Sequence, residues 1–122
     1  MIKKLTDEQI EKKDAETIRY LARRFNFTLI EGEAIEAPRK DMEIGSYVVA
    51  YKYPCSVYKD CLISGYLEGY LGGYVEDGGI TDNLSDSDNF DSKLLAVIEA
   101  ISRVSAIPND GVTITLMQIK EA

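Results

Sequence analysis

Apolar residues recur along this chain with two periods, and the switches between them outline the elements. Ile18, Leu21, Ala22 and Phe25 fall three and four residues apart, one stripe of a helix, with Lys12, Lys13, Arg19 and Arg23 on its other side. Thr6-Asp7-Glu8-Gln9 supplies the start. The Thr6 hydroxyl can accept from the Gln9 amide while the Gln9 side chain reaches back, and Asp7 and Glu8 suit the positive end of the helix dipole. Glu8 is also oriented to pair with Lys12. The spacing predicts a helix ending near Phe25-Asn26. Phe27 to Ile30 reads as a short strand, and the polar stretch to Asp41, which contains Pro38, reads as a loop. Ser46 to Tyr51 is β-branched and aromatic, a strand ended by Pro54.

From Cys61 to Val75 the period is four: Gly65, Gly69 and Gly73, and Tyr66, Tyr70 and Tyr74. On a helix this is a glycine groove beside a tyrosine ridge. On a strand it keeps the tyrosines on one face and Leu67, Leu71 and Val75 on the other. Each glycine costs a helix about 1 kcal/mol relative to alanine, and the segment holds Gly65, Gly69, Gly72 and Gly73. Strands are therefore expected, joined by a turn at Gly72-Gly73. Glu76 to Asn89 is rich in Asp, Asn, Ser and Gly and reads as a loop. Asn89 or Asp91 is placed to cap a second helix whose buried stripe is Leu94, Val97, Ile98, Ile101 and Val104. Pro108 to Gly111 reads as a turn and Val112 to Ile119 as a strand with β-branched residues on both faces. The expected fold is one α+β domain spanning residues 1–122. It has a mostly antiparallel sheet of four or five strands, an amphipathic helix within residues 1–26, a second helix packed across the sheet, and an acidic loop over residues 76–90.

Composition then limits the chemistry. A chain of 122 residues, 45% hydrophobic and 29% charged, can bury a core without disulfides or metal. It has no histidine, which removes the commonest general base and the commonest metal ligand together. Cys55 and Cys61 are too few for a thiolate zinc site. The charged N-terminus lacks a signal-peptide core, and no apolar run approaches a spanning length, so a cytoplasmic protein with reduced thiols and no membrane contact is expected.

The net charge of −7 is uneven. Residues 1–60 balance eleven Lys and Arg against eleven Asp and Glu, whereas residues 61–122 set three bases against ten acids. Six of those acids, Glu76, Asp77, Asp82, Asp86, Asp88 and Asp91, occupy a stretch without a base. Such a field repels nucleic-acid phosphate and attracts basic partners. Read as a calcium loop from Asp86, the segment fails, because its fifth, sixth and twelfth positions are Phe90, Asp91 and Val97. Seven of the eight tyrosines lie between Tyr47 and Tyr74, and tyrosine is enriched at interfaces because it joins apolar area to a polar tip. Tyr66, Tyr70 and Tyr74 beside the six acids make the candidate binding residues, and the sequence leaves open whether the tyrosine face pairs two copies of the chain. No phosphate loop occurs, neither cysteine has a histidine to activate it, and no catalytic residue, metal ligand or cofactor is predicted.

Asn89 to Ile101 followed by Pro108-Asn-Asp-Gly-Val-Thr-Ile-Thr115 resembles the first helix and following strand of ribonuclease H, and Ser46 to Gly79 is similar to that family's opening meander. The resemblance implies a two-metal carboxylate centre. Lys93, Met117 and Tyr51-Lys52-Tyr53 stand where its carboxylates belong. On this comparison the chain is an inactive structural subunit.

Charge and size favour a different expectation: a small acidic non-enzymatic protein that inhibits a partner by occupying its basic, nucleic-acid-binding surface, as small phage-encoded inhibitors do. A binder of a nucleotide-like small molecule, using tyrosines with Arg39 or Arg103, is the alternative.

Overall fold

The structure, a computed structural model, describes residues 6–54, 63, 66–72, 80–104 and 111–122. Helix α1 spans Asp7–Arg24, and Thr6 caps it with both bonds of the capping box to Gln9. Asn26, with φ of 54°, turns the chain out of the helix. Strand β1 (Phe27–Glu31) follows, then β2 (Ile35–Glu36), β3 (Tyr47–Pro54), β4 (Tyr66–Leu71) and β5 (Ile80–Thr81). A 3-10 turn at Leu84–Asp86, helix α2 (Lys93–Val104) and strand β6 (Val112–Lys120) complete the order.

The class is α+β as expected, with six strands described instead of four or five. The sheet is mixed: its order is β1-β6-β3-β4-β5, with β1 and β2 both pairing β6 in parallel and the remaining pairs antiparallel. Strand β6, last in the chain, thus lies in the middle, which its β-branched residues on both faces allow. The stretch from Gly32 to Asp41 is no uniform loop, since Ile35 and Glu36 join β6.

Directly opposed residues share a sheet face. One face carries Phe27, Leu29, Val49, Tyr51, Tyr53, Leu71, Val112, Ile114 and Leu116, and packs with Ile18, Ala96, Val97 and Ala100 of the helices in the main core. The fully buried Ala96 and Ala100 let α2 come close to the sheet. The helix stripes differ in part from expectation. Phe25 is 45% exposed and Ile98 46% exposed, while the alanines take the contact. The cap of α2 is Ser92, whose Oγ accepts from the Leu95 amide at 3.1 Å; Asn89 instead donates to Ser46 Oγ at 2.7 Å. A small second core of Met42, Val48 and Ile119, joined by Ile35, Leu84 and Met117, covers one end of the opposite face. Among the described residues no helix is long and apolar enough to cross a membrane.

Candidate functional site

Beyond that small second core, the sheet face away from the helices is open. The register sets Ala50 opposite both Tyr70 and Thr115, and Lys52 opposite Glu68 and Thr113. These residues therefore share the open face, with Lys52 and Glu68 as an opposite-charge cross-strand pair. Ala50, Lys52, Glu68, Tyr70 and Thr115, with Asp82 after β5 and with Tyr51 and Gly69, line a recess of about 450 Å³. Tyr51 belongs to the other face and lies across Gly69: a Cβ at that glycine would come 3.0 Å from the phenol oxygen and 2.7 Å from the Thr81 carbonyl oxygen. Burial, then the neighbouring Tyr53 and Asp82, push the Tyr51 hydroxyl up to about 12.

The acidic segment after β5 is held to the body of the protein. Arg39 donates to the carbonyl oxygens of Ser85 and Ser87 and pairs with Asp41 at 3.0 Å. The hydrogen bond from Arg39 holds the Asp41 carboxyl below its ordinary value. Gly72 bridges to Ser87 so closely that a Cβ would lie 2.5 Å from the Asp86 carbonyl oxygen. The Asp88 amide donates to the Leu71 carbonyl, and its carboxylate accepts from Arg103 at 2.7 Å, with Glu99 on the same guanidinium at 3.3 Å. The pair is largely shielded from solvent, its side chains being 11% and 23% exposed, and Arg103 also lies 5.8 Å from the centre of the Phe90 ring. Phe90 in turn exchanges both backbone bonds with Tyr47. What reads in the sequence as an acidic loop is, from Ile80 onward, a strand paired with β4, a 3-10 turn held by Arg39 and a bridge to Gly72.

The candidate binding residues consequently separate. Tyr70 and Asp82 meet at the open recess. Asp86 is exposed on the 3-10 turn, Asp88 is turned inward onto Arg103, and Asp91 lines a different cavity, between the helices. Tyr66 lies on β4 opposite Pro54. Tyr74, Glu76 and Asp77 lie outside the described residues, as do Cys55, Cys61 and the expected turns at Gly73 and at Pro108. Tyr51 and Tyr53, on the neighbouring strand β3, belong to the main core, where their rings stack at 5.9 Å between centres. Glu68 and Lys52 escaped the sequence reading although the signal was present: strand alternation puts Glu68 on the side of Tyr70.

The second cavity, of about 590 Å³, lies between α1, the end of β1 and the start of α2. At its edge Lys93 donates to Glu31, and that bond, with the charges of Glu31 and Glu11, raises the lysine above its ordinary value. Among the described residues no group of three or more Asp, Glu or Cys is placed to hold a metal ion. No protein family, curated protein or solved structure matches this chain.

Proposed function

We propose that this chain is a small acidic, non-enzymatic binding protein that docks its open sheet face on a basic surface of a partner protein, and so competes there with nucleic acid. The observation that supports the reading is the recess at which Tyr70, Glu68 and Asp82 come together on the face no helix covers. An aromatic ring with a polar tip, flanked by two carboxylates and one lysine, suits an arginine-rich or lysine-rich surface. The overall charge of −7 steers such a partner from a distance and disfavours phosphate. The absence of histidine from the sequence agrees with a binding role over catalysis by an imidazole.

The test is capture of host proteins by the purified full chain at low and high salt, beside the double variant Glu68→Gln, Asp82→Asn. A basic nucleic-acid-binding protein should be retained at low salt, be displaced by added nucleic acid, and be lost with the variant. Equal capture by both proteins would remove the recess as the docking surface.

A further inference from the structure

The two edges of the sheet are finished differently. On one side the last strand, β5, is two residues long and leads into Asp82, a short charged ending of the kind that discourages further pairing. On the other side β1 runs for five residues, Phe27-Thr28-Leu29-Ile30-Glu31, with no proline, glycine or lysine, and its one charge is taken up by Lys93. Such an edge is a template for another strand. The Gly32 amide donates to the Leu116 carbonyl of β6 at 2.8 Å, so strand alternation turns the backbone groups of Thr28 and Ile30 toward β6 as well. Those of Phe27, Leu29 and Glu31 point outward, and among the described residues no hydrogen bond reaches them. The side chains of Thr28 and Ile30 are exposed on the open sheet face, Ile30 by 46%.

The outward groups are spaced symmetrically about Leu29. In an antiparallel pairing of β1 with itself, Leu29 meets Leu29 of the second copy and Phe27 meets Glu31, each pair exchanging both backbone bonds. Centring the pairing elsewhere leaves outward groups unused. Thr28 then falls directly opposite Ile30 of the second copy, at the close spacing of a non-hydrogen-bonded pair, which covers the exposed isoleucine. Glu31 faces Phe27 and not its own counterpart, so the register sets no like charges against each other. Strand β1 also lies in the half of the chain where eleven Lys and Arg balance eleven Asp and Glu, and two molecules of net charge −7 can meet there away from the acidic half. A two-fold axis uses this symmetry and closes the edge on both molecules at once. We infer that β1 pairs antiparallel with β1 of a second copy about a two-fold axis at Leu29, joining two sheets into one.

Sedimentation velocity of the full chain over a concentration series tests the inference, with hydrogen exchange of the β1 amides beside it. The parent should pass from monomer to dimer as concentration rises, and the amides of Phe27, Leu29 and Glu31 should exchange more slowly as it does. The double variant Thr28→Lys, Ile30→Lys sets like charges opposite each other across the axis. It should raise the dissociation constant about tenfold or more while the circular dichroism stays native. Mixing it with Thr28→Glu, Ile30→Glu should restore the dimer, because the register then sets lysine against glutamate. Ile98→Lys, at an equally exposed isoleucine on α2, should leave the dimer as it is. Glu68→Gln, Asp82→Asn should leave it too, and the double-lysine variant should still capture a basic partner, so this interface and the docking face fail separately. A parent that stays monomeric throughout, a dimer that survives both lysines, a mixture that stays monomeric, or β1 amides whose exchange ignores concentration overturns the proposal.

Discussion

The two faces of the sheet are made by the same strands and behave as different materials. Along β6, Val112, Ile114 and Leu116 are buried under the helices, while Thr113 and Thr115 between them are only half-buried on the other side. Threonine and valine have similar shapes and both suit a pleated strand, so strand formation does not distinguish the faces. What distinguishes them is the hydroxyl, which tolerates water where no helix arrives. Covering one face with helices and leaving the other open past a small second core sets the recess of Tyr70, Glu68 and Asp82 on a floor packed from behind.

The sharpest test of that comparison is to truncate one side chain to alanine on each face. Ile114, 1% exposed, packs in the main core, and Ile114→Ala should destabilise the fold by about 2–5 kcal/mol. Thr115→Ala, one residue later on the open face, should stay within about 0.5 kcal/mol. Urea unfolding of both variants decides it, and comparable losses would mean that the open face is covered after all.

Alternation made this division legible in advance for β4, where tyrosines and leucines fall on opposite faces, whereas β3 and β6 were legible as strands from their β-branched content without a division of their faces, both signals acting locally. The capping box was legible for the same reason: Thr6 and Gln9 are three residues apart. Strand order was not. That β6 enters the middle of the sheet, parallel to β1 and antiparallel to β3, depends on contacts between residues about 65 to 85 positions apart, such as Val49 with Leu116 and Phe27 with Val112. The α2 face was misjudged because large side chains were expected to mark the contact. Close helix–sheet approach instead selects Ala96 and Ala100 and leaves Ile98 outside. The acidic segment was misread because composition reports solubility, whereas Asp88 has a particular cationic partner, Arg103, on α2.

That difference between Asp88 and its neighbour Asp86 can be measured. Asp88 and Arg103 join the acidic segment to α2 behind the core, where water screens them weakly. Asp88→Ala should cost about 1–3 kcal/mol, whereas Asp86→Ala, on the exposed turn, should stay within about 0.5 kcal/mol. Thermal melting at neutral pH reads both. Raising the salt concentration should change the Asp88 effect little, since a shielded pair is less sensitive to ionic strength than an exposed one.

The smallest effect at neutral pH is at Tyr51, and it appears only in alkali. Folding raises the Tyr51 hydroxyl from 10 to about 12, burial being the main cause. Between those values the unfolded chain releases a proton that the folded chain retains, so the unfolded state binds fewer protons and stability falls as pH rises. The contribution is intact below pH 10, is lost progressively above it, and levels off once the folded hydroxyl ionises near pH 12. Tyr51→Phe keeps the ring over Gly69 and removes the titrating group, so its melting temperature should fall less steeply than that of the parent protein above pH 10. An alkaline slope that Tyr51→Phe leaves unchanged would mean that the phenol on the helix-covered face is not the shielded group that burial makes it.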